Sequence, residues 1–431
     1  MLDRSVSTVE RSRGLGAVIL AQLLLRIGSA AGALAVGSYF VDLARRGVGV
    51  GSLLLGALSG LTYLTELVFA PVAGAASDRR GRRGLLALAP LLAAIGILIT
   101  PGASLYAAAP PLILVAATVA TARLVEGAGA AIAVPATLGI LADSTDGDRI
   151  RRGRLTSLYE LSSSGGIALG AVAGPLLYRF AGLWAFTLLA FLYAAAGLLI
   201  FVFVREPTPA TRPIARGVRD RVKVFGDGQL LAFLPAWIAV NAILGTWVTA
   251  QIAFVLAGRR TIPGQRFVGA LAGKETWMSA VLGGYVLIFS LCIVAWSFLA
   301  GRLPTLPAML VTVAGSAIAS TGLILANHGL APAAAAPIVL VGVFLEAGFT
   351  PTALTHLADI SARFAGDRGL IMGVYSVVLG LGYLLGTVLG GVFAQWLAFD
   401  GLALLTILLA AIGMAAVTMM ITTARRPRNR G

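Results

Sequence analysis

Apolar positions in this chain are gathered into long runs, and charged positions are confined to short stretches between them. The runs are about 20 residues long, the length one helical crossing of a bilayer needs. Twelve can be drawn: 14–43, 51–74, 84–103, 111–142, 155–178, 182–204, 229–256, 277–300, 306–326, 333–358, 369–397 and 401–424. Strands are not expected, because runs of this length satisfy their backbone in lipid only as helices. The first run could pass for a secretory signal, whose apolar region is about 7–15 residues. It is twice that long and carries Arg26 near its middle, so it reads as a helix.

Six spans fall in each half, and the halves repeat. Pro135, Leu138, Leu141, Ala142 and Asp143 recur 216 residues later as Pro351, Leu354, Leu357, Ala358 and Asp359. At the same offset Arg152-Gly153 recurs as Arg368-Gly369, Tyr159 as Tyr375, and Gly166, Gly170 and Gly174 as Gly382, Gly386 and Gly390. An even number of spans per copy inserts both copies with the same orientation, as parallel repeats do. The expected fold is therefore an all-α integral membrane protein, twelve transmembrane helices in two six-helix bundles. The expected domains are 1–204 and 229–431, joined by 205–228. That joining stretch holds three prolines and six positive charges, which forbid a crossing and suit a cytoplasmic linker ending in a short basic helix.

Composition agrees with a bilayer protein. Charged residues are 12% of the chain against about a quarter in a soluble domain, and mean hydropathy is +0.92. One cysteine, Cys292, and two histidines exclude a disulfide framework and give no metal site. The net charge of +15 does not point to nucleic acid, because the cations are dispersed in clusters between spans. With the N-terminus inside, 24 of the 33 Lys and Arg fall in cytoplasmic segments and 7 outside, which places both termini in the cytoplasm. The dissenting outer loop, 257–276, carries Arg259, Arg260, Arg266 and Lys274, and an amphipathic surface segment is expected there.

Between the second and third spans the chain reads Gly74-Ala-Ala-Ser-Asp78-Arg79-Arg80-Gly81-Arg82-Arg83. This matches G-x-x-x-D-R-x-G-R-R, the signature loop of the major facilitator superfamily, at every defined position. Arg123-x-x-x-Gly127-x-Gly129-x-Ala131 in the fourth span resembles that superfamily's helix 4 motif. Gly170-x-x-x-Gly174-Pro175 in the fifth resembles its antiporter motif, although Tyr178 and Arg179 stand where that motif has glycines. The resemblance covers the whole chain. It implies that Asp78 and its arginines (Arg79, Arg82, Arg83) gate transport by latching the cytoplasmic ends of the bundles, without touching substrate. Physics alone says that Gly74 and Gly81 allow a tight path, that Asp78 can accept hydrogen bonds, and that the arginines hold the anionic inner leaflet. Gly170, Gly174, Gly386 and Gly390 form small-residue faces for close helix packing, with Pro175 bending the outer end of the fifth span.

A charge at the bilayer centre is costly unless it meets a partner or a polar cavity. Arg26 and Glu66 should lie at similar depth on neighbouring spans and can pair. Arg123 and Glu126, three apart, share one helix face. Buried structural ion pairs are the competing reading for both. Glu346 has no cation within two turns on its own span, and a carboxylate in low dielectric can bind and release a proton, so it is the candidate protonation or substrate site. Gln22, Arg26 and Ser29 fall on one face of the first span, and Trp237, Asn241, Val248 and Gln251 on one face of the seventh. These equivalent stripes point to a central polar pathway, against ordinary interhelical hydrogen bonding. Cys292 and His356 read as packing residues.

No nucleophile–base pair or metal-ligand cluster supports an enzyme, and no G-x-x-x-x-G-K-[ST] loop supports ATP as energy source. The expectation is a secondary transporter of the inner membrane that works by alternating access on a proton gradient, without a cofactor. Its partners are lipids, protons and a small-molecule substrate, and it functions as a monomer. Efflux of amphipathic, drug-like compounds stands first. Proton-coupled uptake of a small metabolite and movement of a lipid-like substrate remain as alternatives.

Overall fold

Hydrocarbon offers no partner for a backbone N–H or C=O, so a chain of this composition closes its hydrogen bonds within helices. In the computed structural model, which describes residues 2–80, 82–144, 149–204, 228–258, 262–299, 302–362 and 368–425, it does so along nearly its whole length. The helices are α1 (Leu2–Arg45), α2 (Ser52–Arg80), α3 (Arg82–Ile99), α4 (Gly102–Tyr106), α5 (Leu112–Ser144), α6 (Arg149–Ala181) and α7 (Trp184–Phe203). They continue as α8 (Gly228–Trp247), α9 (Ala250–Ala257), α10 (Glu275–Leu299), α11 (Thr305–Asn327), α12 (Pro332–Ala347), α13 (Phe349–Ala362) and α14 (Arg368–Arg425). Among the described residues ten helical stretches are long and apolar enough to cross a membrane. One of them, Val377–Thr423, holds two of the expected spans, and Arg83–Ile99 is an apolar helix just short of that length. The twelve expected crossings are thereby all accounted for.

The chain divides into two units. One comprises Met1–Thr211 with Ala257–Arg259 and Leu271–Leu287, the other Arg212–Leu256 with Arg260–Ala270 and Ile288–Gly431. The expected linker 205–228 lies outside the described residues except for Gly228, where α8 begins. In the first unit α1 packs on α6 and α7, and α5 on α2 and α3. In the second α8 packs on α14, and α11 on α12 and α14. The pairings of α1 with α6 and α7 and of α3 with α5 thus recur as α8 with α14 and α11 with α12. Buried clusters fill both units, with Val18, Leu86, Ala136 and Ile200 in the first and Phe233, Met309, Val313 and Phe349 in the second. Large apolar side chains such as Ile113, Phe191, Leu198 and Leu291 are exposed, as lipid-facing positions should be.

The glycine faces carry the tightest contacts. A Cβ on Gly170 would lie 2.5 Å from Ile27 O, and one on Gly174 2.6 Å from Ala31 O, so α6 lies backbone to backbone on α1. Their copies repeat the arrangement: Gly382 meets Asn241 and Gly386 meets the Ala242 carbonyl, while Gly390 faces Thr246. Pro175 is buried within α6, which continues unbroken past it to Ala181.

One expectation is corrected. The segment after Gly74 is not a loop: α2 runs on to Arg80, as the helix-compatible Ala-Ala-Ser sequence permits, and α3 begins at Arg82. The stretch 262–274, where an amphipathic surface segment is expected, folds as successive turns, and its first part is tied to helix ends of the second unit. Arg266 N donates to Asn327 O at 3.0 Å, and Phe267 N to Asn327 Oδ1 at 2.8 Å. Gln265 Nε2 donates to Leu397 O at 2.9 Å, and its Oε1 accepts from Asp400 N at 3.4 Å. Asp400 in turn accepts from Asn327 Nδ2 at 2.7 Å and meets His328 Nε2 at 2.7 Å.

These bonds surround a strained turn. Ala398, where α14 changes direction, has φ 48° and ψ −121°. The equivalent residue 216 positions earlier is Gly182, with φ 55°. Glycine reaches that region without steric cost and alanine does not. Ala398→Gly should therefore raise stability by about 1 kcal/mol, read as a higher midpoint of thermal unfolding in detergent. An unchanged or lower midpoint would mean that the turn carries no strain.

Candidate functional site

Charge is handled differently in the two units. In the first, the carboxylate of Glu126 takes both arms of Arg123, at 3.0 Å to Nη2 and 2.7 Å to Nη1. Three-residue spacing on α5 brings the pair together, and both side chains are nearly buried, at 8% and 11% exposed. Arg123 Nη2 also reaches Thr100 Oγ1 at 3.2 Å. Room for the pair comes from Gly96 on α3, where a Cβ would lie 2.6 Å from Glu126 Cγ. On α1 and α2, Arg26 acts electrostatically on Glu66.

A residue that sequence reasoning did not single out stands between these pairs. Tyr193 on α7 is 4% exposed, and Glu126, Arg123 and Arg26 all act on its phenol. Its ring lies flat against Gly28 of α1, where a Cβ would be 2.6 Å from Cε1. Beside them Gln22 Nε2 donates to Ser163 Oγ at 2.9 Å, so this member of the α1 stripe ties α1 to α6, whereas Ser29 is exposed.

In the second unit the seventh span is not one helix. It stops at Trp247 and resumes at Ala250, so Asn241 and Gln251 do not share a continuous face. Asn241 Nδ2 donates to Trp237 O at 2.8 Å, and Gln251, fully buried, donates from Nε2 to Thr387 O at 2.5 Å and accepts from Thr249 Oγ1. Both amides are engaged within the unit.

Glu346 on α12 is 6% exposed. Among the described residues, the side chain acting on its carboxyl is Ser316 of α11, a residue 1% exposed whose hydroxyl stops short of a formed hydrogen bond. Among the described residues no cation compensates it. The span is also interrupted two residues further on. Pro351 has no N–H to offer Ala347 O, and α12 ends at Ala347 with α13 starting at Phe349. At the junction Gly348 N donates to Leu345 O at 3.0 Å, three residues back, which leaves Phe344 O without its helical donor. Trp296 Nε1 of α10 supplies one, at 2.6 Å. Gly348 makes the seat possible, since a Cβ there would collide with the indole. The first copy has Pro135 in the same place but Ala130 and Ile132 where the second has Glu346 and Gly348, and α5 runs through without interruption.

Of the signature segment, the surroundings of Gly74, the side chains of Asp78, Arg79 and Arg82, and all of Gly81 lie outside what is described. Arg83 is described. Its Nη2 donates to Phe201 O at 2.6 Å and its guanidinium lies 5.1 Å from the centre of the Phe201 ring, which ties the start of α3 to the end of α7.

Comparison with known proteins gives a family match on both halves. The model described as Major Facilitator Superfamily matches residues 18–273 and again 267–431. The crystal structure of the nucleoside transporter NupG aligns at TM-score 0.72 and 12% identity, covering 96% of this chain and 99% of that one. A bacterial homolog of the human lysosomal transporter Spinster, in an inward-facing and unoccupied conformation, aligns at TM-score 0.67 and 14% identity over 96% and 97%. At such identities the likeness is one of fold. No curated protein matches the chain in sequence.

The bidentate pair on α5 makes a prediction of its own. Arg123→Ala or Glu126→Ala alone leaves a buried charge uncompensated and should cost about 3–5 kcal/mol. The double variant should recover most of it, measured by thermal unfolding in detergent. Additive losses would show that the two side chains act separately.

Proposed function

As a member of the major facilitator superfamily, to which this chain belongs, the protein is a multi-pass membrane transporter and not an enzyme, and we propose that it exports small amphipathic compounds in exchange for protons. Glu346 carries the reading. Among the described residues no cation acts on its buried carboxyl, whereas Glu66 and Glu126 each have an arginine. A carboxyl so placed can be neutral or charged without breaking an ion pair, which is what a proton carrier requires. Ser316, the described side chain that acts on it, is uncharged, so the site favours neutral or cationic cargo over anions. The partial antiporter motif at Gly170, Gly174 and Pro175 supports exchange over symport.

In this reading the proton gradient is the energy source and no cofactor is needed. The protein works as a monomer in the inner membrane, with both termini in the cytoplasm on the strength of the cation asymmetry.

The test uses purified protein in liposomes with an acid-inside pH gradient reported by a quenched dye. Amphipathic cations, neutral drugs and common metabolites are added outside in turn. One chemical class should dissipate the gradient, and Glu346→Gln should reduce that dissipation to background while substrate exchange without net proton movement survives. A gradient untouched by the panel would overturn the exporter reading in favour of uptake or a lipid-like cargo.

A further inference from the structure

Glu346 lies between Phe344 and Gly348, the two residues whose backbone hydrogen bond is missing from the span. Two arrangements compete for the Phe344 carbonyl. In a continuous helix it accepts from Gly348 N. In the observed structure Gly348 N has moved to Leu345 O, and Trp296 Nε1 has taken its place at 2.6 Å. Each arrangement satisfies a carbonyl that has no water to turn to, so each is self-consistent, and Glu346 sits in the segment where the two diverge. We propose that Trp296 is a positioning residue for the proton step, its indole N–H fixing the kink that sets where the Glu346 carboxyl stands relative to Ser316. The inference rests on the proton-coupled reading of Glu346 given above.

The break changes the electrostatics around the carboxyl. In the kinked form Glu346 lies between the negative C-terminal end of α12 and the positive N-terminal end of α13. Straightening the span removes both ends, so the two forms hold the charged and the protonated carboxyl with different free energies, and protonation shifts the balance between them. Among the described residues the side chain acting on the carboxyl from a packed element is Ser316 on α11, which is uncharged, and no Lys, Arg, His, Asp or Glu acts on it. The device belongs to one copy of the repeat. The proline common to both leaves α5 unbroken, while Glu346, Gly348 and the Trp296 bond occur together in the second.

The emission of Trp296 reads the coupling directly. Subtracting the fluorescence of Trp296→Phe from that of the intact protein in lipid nanodiscs isolates this indole among the six tryptophans. Its signal should titrate in one step as pH is varied, and the step should vanish when both proteins carry Glu346→Gln. A flat difference signal, or a step that survives without Glu346, overturns the proposal. In transport, Trp296→Phe keeps the ring and loses the donor. It should move the pH profile of exchange by roughly one pH unit, with Gly348→Ala doing the same by displacing the indole. A lower unfolding temperature with an unmoved profile would show a merely structural role and also overturn it. If liposomes move no protons while the indole still titrates with Glu346, the exporter reading fails and the positioning role stands.

Discussion

Contact between helix backbones, with no side chain intervening, is what holds each unit together. Lipid tails are as apolar as leucine, so no hydrophobic gain drives one helix onto another inside a membrane, and close packing must supply the attraction. Gly170 and Gly174 lay α6 on α1, and Gly382 and Gly386 do the same for α14 on α8. The remaining polar chemistry is built on these contacts. The Gln22–Ser163 bond spans the first of them, and the Gln251 amide reaches Thr387 across the second. A bulky side chain at any of these glycines would separate the partners of those bonds as well as the helices.

Within that scaffold the second constraint is that charge in low dielectric must be answered. The first unit answers it internally, with Arg123 embraced by Glu126, Arg26 near Glu66, and the Tyr193 phenol set among them. Among the described residues of the second unit, Glu346 is a buried carboxyl with no cation acting on it, set beside an interruption in its own helix. Two copies of one sequence have diverged into an electrostatically closed half and an open one. The divergence lies in a few residues, Glu346 and Gly348 in place of Ala130 and Ile132, which leaves the packing faces intact.

The crossings were legible because bilayer thickness fixes their length, and the repeat was legible because glycine and proline are constrained wherever they recur. Paired charges on one helix, such as Arg123 and Glu126, could be read from spacing alone. Pairings between helices could be read only from matched depth, as with Arg26 and Glu66. Tyr193 and Trp296 escaped notice because each sits in an apolar run where an aromatic residue looks like a lipid contact. Their roles come from the neighbours brought by tertiary packing, Gly28 and Phe344, which are far away in sequence. The seventh-span stripe failed for a related reason. Helical periodicity carries across Trp247 to Ala250 only if the backbone does, and there it does not.

The turn at Ala398 also bears on how the last hairpin is made. Its backbone adopts a shape that alanine resists, and the groups that hold it there, Gln265, Asn327 and His328, are not its sequence neighbours. All three precede it in the chain. A ribosome makes them before the final hairpin emerges, so these three side chains are already in the chain when the turn they hold is made. The order of synthesis and the direction of support coincide.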